Sequence, residues 1–303
     1  MLRVLSLVLG LATIALTYAA AKLASGRQDL AAAAAAFVAF LPKFEVVSAT
    51  FTNDALAITL SSLLLLLALA VLRSAGQLAA AGGAFGLGAV SGAALITKLN
   101  TVPLLAAAAI ALLLAARPVR EKVIHLGLLG VGFLLVSGWW FLRNDDLYGE
   151  YLAREISRDY LRSGIPGLID PVSLFDADCF LYFLPETLFR SAWYAGGWNQ
   201  FFGPFALNLL LWMAVGAALF AWARVILAGP REAGWTIGRR KAVTLSLFAL
   251  AGLVAVILVA LDTTQAEGRV ASRRRVGTCT SGGARGAFRR FCLRMTLTCS
   301  RAT

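Results

Sequence analysis

The chain has 303 residues, of which 59% are hydrophobic and only 15% charged, and a net charge of +12. A soluble domain of this length carries nearer a quarter of charged residues, so the composition excludes a water-soluble globular enzyme and indicates a polytopic membrane protein. The positive balance suggests a nucleic-acid partner, but nine arginines and no acids lie between Arg269 and Thr303. Removing those nine charges leaves +3, and no nucleic-acid partner is expected.

The first apolar run, Leu2–Ala24, is too long for the core of a cleaved signal, and no small-residue cleavage site follows it. Seven more follow: Leu30–Leu41, Ala55–Leu72, Leu78–Thr97, Val102–Ala116, Val123–Trp140, Phe205–Leu227 and Val243–Leu261. Most approach the roughly 20 residues that a helix needs to cross the hydrocarbon core. The expected fold is therefore all-α, with about eight membrane segments. Leu30–Leu41 is short and bounded by Pro42, so it either extends across the interface or re-enters. Gly82/Gly86 and Gly88/Gly92 are spaced for close approach between helices, expected within one chain.

Arg117, Arg120 and Lys122 share one connection, and Arg231, Arg239, Arg240 and Lys241 another. By the positive-inside rule both face the cytoplasm. The long segment Phe141–Gly203 then lies outside, in keeping with its nine acids against five arginines. Its aromatic residues and Gly196-Gly197 suit short interfacial helices over a lipid groove, with a solvated loop as the alternative. If all eight segments cross, Met1 lies outside with no span to carry it there, so the natural N-terminus is expected to be missing. That argument fails if Leu30–Leu41 does not cross.

Polar residues gather at helix mouths. Asn53-Asp54 opens the third segment and Lys98 follows the fourth, which puts a carboxylate and an ammonium at one exterior interface. A helix-opening acid favoured by the dipole and a snorkelling lysine explain the same residues without function. His125 sits toward the cytoplasmic end of its span and is assigned to packing. Cys279, Cys292 and Cys299 have no zinc-ligand spacing and no nearby histidine, and Cys179 has no upstream partner, so neither a metal site nor a disulfide framework is expected.

An ordered set of motifs carries a resemblance. Arg3-Val4-Leu5-Ser6 opens a span and Phe40-Leu41-Pro42-Lys43-Phe44 closes another. Thr52-Asn53-Asp54 and Leu95-Ile96-Thr97-Lys98 follow, then Trp139-Trp140-Phe141-Leu142-Arg143-Asn144 with Leu147-Tyr148-Gly149, and Gln265-Ala266-Glu267-Gly268-Arg269. Across roughly residues 1–269 the chain resembles the GT-C membrane glycosyltransferases of the protein O-mannosyltransferase and aminoarabinose-transferase type, and a related bacterial family of unknown function. The resemblance implies a bacterial plasma-membrane protein and sugar transfer from a polyprenyl-phosphate carrier on the exterior face. Membrane lipid and that carrier are the implied partners.

In such enzymes the catalytic aspartate lies between the first two spans. This chain resembles the family from the second span onward, so no catalytic residue is assigned and the chain is expected to be inactive. Asn53 and Asp54 are expected to contact substrate, Asp54 with a divalent metal ion as its other option, and no other cofactor is implied. Lys98, Arg143 and Arg269 are the cations expected to meet the carrier phosphate. A flippase for a lipid-linked glycan and a non-catalytic membrane protein are the rival readings. The flippase would need internal repeats or broken helices at the bilayer midplane, and the sequence indicates neither.

The resemblance divides the chain into an incomplete membrane domain, 1–268, and an Arg-rich tail, 269–303. The tail has no span and too little apolar sequence for a core, so disorder is expected. It reads as GC-rich codons in a shifted frame, which requires an apolar span in another frame just past the Arg269 codon. A basic arm for anionic lipid or RNA is the alternative, though it would emerge outside.

Overall fold

The computed structural model describes residues 2–74, 76–153, 209–213, 215–217, 220, 223–224 and 240–252. Its elements are α1 (Leu2–Ser25), α2 (Gln28–Ala39), α3 (Pro42–Ala49), α4 (Asn53–Arg73) and α5 (Gln77–Thr97). A 3-10 turn (Leu99–Thr101), α6 (Val102–Leu114) and α7 (Val119–Tyr148) follow, and 240–252 is helical. The fold is all-helical, with no strand among the described residues. Among the described residues four helices (α1, α4, α5, α7) are long and apolar enough to cross a bilayer, or five spans if α2 and α3 form one. Their wide apolar faces, with many exposed leucines and valines, belong in lipid rather than water.

Leu30–Leu41 does not end at its proline. Pro42 occupies the first turn of α3, where its missing N–H costs nothing, and α2 and α3 pass together as one apolar unit bent by 63°. Side-chain contacts fix where that unit leads. Lys241 Nζ donates to the Leu23 and Ala24 carbonyls at the end of α1, 2.9 and 3.3 Å away. Its neighbour Arg240 lines a recess with Arg117, and Arg117 bonds to Ser74 at the end of α4. So α1 and α4 end on the same face of the bundle, and α2–α3 returns the chain to the opposite face. This broken helix was not expected from the sequence. Its break falls at Phe40-Leu41, which are apolar, and Phe40 is exposed.

α6 is shorter than its predicted segment and begins with Pro103 in its first turn. α7 differs more. The predicted exterior segment was to start at Phe141, but the helix continues to Tyr148, where Gly149, at φ +67°, ends it in the left-handed conformation. At about 1.5 Å per residue, 30 residues exceed the roughly 30 Å hydrocarbon core, so Arg143 to Asp146 project beyond it.

The core lies among α4, α5, α6 and α7, where Leu64, Leu87, Ala108 and Leu112 are buried, and Phe248 and Ala251 of the 240–252 helix join it. Of the two glycine pairs, Gly88/Gly92 packs within the chain, directly on the α7 backbone. Gly82 faces open space and Gly86 touches only Leu67, so that pair makes no close crossing; Gly83, against Val71, holds α5 to α4.

The contacts put Arg117, Lys122, Arg240 and Lys241 on one face, and Asp54, Lys98 and the end of α7 on the other. Reporter fusions after Arg120 are expected to read cytoplasmic and fusions after Gly149 exterior; the reverse pattern would invert the assignment of faces. The segment beyond residue 153 that the sequence assigns to the exterior, with the interfacial helices expected there, lies outside the described residues. So do Arg269, the 268/269 boundary, the tail and most of Phe205–Leu227.

Candidate functional site

Two helix mouths build the site. Thr52 is extended ahead of α4, so Asn53 and Asp54 open its first turn, where the unpaired N–H groups favour a carboxylate. At the other mouth Thr97 ends α5, and Lys98 stands in extended backbone before the 3-10 turn. Lys98 Nζ forms an ion pair with Asp54 Oδ1, and Asn53 Nδ2 donates to the Thr97 carbonyl at 3.1 Å. The structure thus brings together three residues that the sequence placed at one interface.

The pair is neither buried nor free, with side chains 36% and 37% exposed. At that exposure an ion pair contributes about 0–1 kcal/mol, since water competes for both charges. The ammonium is held near the carboxylate and can be drawn off by a stronger anion.

Arg143 stands apart on the projecting end of α7, exposed and without an acidic partner among the described residues. Its neighbour Asn144 is buried, and its Nδ2 donates to the Tyr151 carbonyl at 3.2 Å, pinning the turn after α7. The Trp139–Asn144 motif therefore holds structure at one residue and offers charge at the next. Trp140 packs edge-on against Phe141 at 5.3 Å, while Trp139 is exposed at interface depth.

Asn100 was missed by sequence reasoning. It lies in the turn after Lys98, with a buried Oδ1 that finds no donor among the described residues. A lone Asn in a short connection has no sequence signal to separate it from any polar turn residue. His125 is buried in α7 on the basic side, away from Asp54, in keeping with a packing role. Among the described residues no three His, Cys, Asp or Glu side chains gather to hold a metal ion. A metal at Asp54 would have to displace the Lys98 ammonium.

Residues 1–141 match the family model of the dolichyl-phosphate-mannose-protein mannosyltransferases, part of the GT-C superfamily of membrane glycosyltransferases. The resemblance read from the motifs fits that match. It covers α1 to α6 and most of α7, and so includes Asn53, Asp54 and Lys98. No curated protein and no solved structure matches the chain significantly.

Proposed function

We propose that the Asp54–Lys98 mouth receives the head of a polyprenyl-phosphate-linked sugar at the exterior face of a bacterial plasma membrane. The observation that carries this reading is the half-exposed ion pair itself, seated between two apolar helices within the stretch that matches the glycosyltransferase model. A carrier phosphate brings a full charge and several acceptor oxygens, more than one exposed carboxylate offers, so it competes for the Lys98 ammonium. Released from Lys98, Asp54 accepts hydrogen bonds from sugar hydroxyls, and Asn53 holds the two mouths together. Arg143 and Arg269 are assigned the same phosphate as further cations.

In the reaction an acceptor hydroxyl attacks the anomeric carbon. A carboxylate base takes its proton, and cations stabilise the departing phosphate. We assign the base to no residue of this chain. In this proposal residues 1–268, with Arg269 at the boundary, bind carrier without transferring sugar, and the rest of 269–303 forms a tail of shifted frame that takes no part. The bent α2–α3 unit is the feature a flippase would use, but Phe40 and Leu41 at the bend supply no polar ligand.

The test is binding of a polyprenyl phosphate to the purified chain, followed by its intrinsic fluorescence. Lys98→Gln is expected to weaken binding about tenfold, equivalent to losing about 1.4 kcal/mol. Its effect on unfolding should stay under about 1 kcal/mol, because the pair is exposed. Unchanged binding by Lys98→Gln would remove the site, and sugar transfer by these 303 residues would place a catalytic base among them.

A further inference from the structure

On the opposite face, three cations from three parts of the chain line one recess of about 470 Å³, together with Leu113, Leu114, Ala115 and Ala116. They are Arg117 in the α6–α7 connection, Lys122 in the first turn of α7, and Arg240 at the start of the 240–252 helix. No acid lines it.

Arg117 is not a loose surface cation, for its side chain is only 9% exposed. NH1 bonds to Glu121 at 3.0 Å and NH2 to the Ser74 carbonyl at 2.7 Å. Glu121 in turn accepts from Gln77 Nε2 at 2.7 Å, so its charge is engaged on the α4–α5 side. Lys122 and Arg240 have no acidic partner among the described residues. Lys241 keeps Arg240 in place by anchoring its helix to the end of α1. Among the described residues the arrangement leaves two cations uncompensated.

We propose that this recess binds the phosphate of an anionic membrane lipid. The apolar half of the lining selects that occupant over a soluble anion. Leu113 is 46% exposed on the outer surface of α6, next to the cations, so an acyl chain can lie along it while the phosphate meets Lys122 and Arg240. A soluble phosphate would gain nothing from that surface. The basic loops assign this face to the cytoplasmic side, where anionic headgroups attract cations between helices. The site lies on the face opposite Asp54 and Lys98 and is independent of the sugar-carrier reading.

The test uses the full chain in nanodiscs of phosphatidylcholine containing a minor fraction of phosphatidylglycerol, with lipid retained after detergent release counted by native mass spectrometry. The chain should retain phosphatidylglycerol in preference to phosphatidylcholine. The double variant Lys122→Gln/Arg240→Gln should bind it about thirty-fold more weakly, from the loss of two interfacial charges. Arg73→Gln/Arg120→Gln removes equal charge from exposed positions on the same face and should change retention little. Lys122→Arg/Arg240→Lys should retain the lipid. No preference in the unmodified chain, or equal loss in both Gln doubles, would reduce the effect to general leaflet electrostatics and overturn the site. Displacement of the lipid by millimolar inorganic phosphate would overturn the lipid as its occupant.

Discussion

Gly88→Ala is expected to lower the stability of the folded chain by about 3 kcal/mol, toward the upper end of what overpacking costs. A methyl group there would stand 1.9 Å from the Leu129 carbonyl oxygen and 2.7 Å from its carbon. Both are main-chain atoms of α7, so no rotamer change relieves the overlap. α5 and α7 would have to separate, and the dispersion contacts along this pair, the most extensive among the described helices, would weaken with the separation. Gly132→Ala meets the same obstacle from the other side, with its methyl 2.3 Å from the Phe85 carbonyl oxygen. The two glycines face one crossing, so the double variant should cost less than the sum of the singles. Gly82→Ala is the control: nothing lies within 4 Å of its added carbon, so a gain of about 0.5–1 kcal/mol from the better helix propensity of alanine is expected. Unfolding in mixed micelles with increasing dodecyl sulfate measures all four variants. Equal stability of Gly88→Ala and Gly82→Ala would mean that α5 and α7 do not cross this closely.

Arg117→Ala should cost about 2–3 kcal/mol, as expected when the cation of a largely buried, hydrogen-bonded pair is removed. The Ser74 carbonyl and Glu121 would each lose a charged donor, and the α4–α5 and α6–α7 connections would lose their link. Arg117→Lys should recover only part of this, because a single ammonium does not reproduce a planar fork that reaches two partners at once. Arg73→Ala, exposed at the end of α4, should change stability little. The same unfolding measurement decides; matching losses for Arg117→Ala and Arg73→Ala would mean that Arg117 is solvated rather than clasped.

The long apolar runs were legible because lipid imposes a simple condition. Every backbone group must be satisfied inside the helix and every outward side chain must be apolar, so α1, α4, α5 and α7 announce themselves by length and composition. The mouth at Asp54 and Lys98 was legible for a related reason. Charges are expelled to helix ends, and two consecutive antiparallel spans bring the first residue of one beside the last of the next. Arg143 was harder. Its position beyond Trp140 looked like the start of a loop, and only the left-handed Gly149 reveals how far α7 continues.

Composition and periodicity alone therefore determined the all-helical class, the shared face of the basic connections, and the pairing of the two mouths of consecutive spans, since each follows from the cost of burying charge or bare backbone in lipid. What they left undetermined depends on distances between residues far apart in the chain. Four-residue glycine spacing occurs at Gly82/Gly86 and at Gly88/Gly92, but only the rotation of α5 against α7 makes the second pair the close contact. Pro42 marked an end in the sequence, whereas packing of Phe44 and Ser48 beside Gly10 of α1 makes it the start of α3. The basic recess likewise joins Arg117 and Lys122 to Arg240, more than a hundred residues away, through the docking of Lys241 on the end of α1. Local chemistry sets what each segment is, and only tertiary packing sets which segments meet.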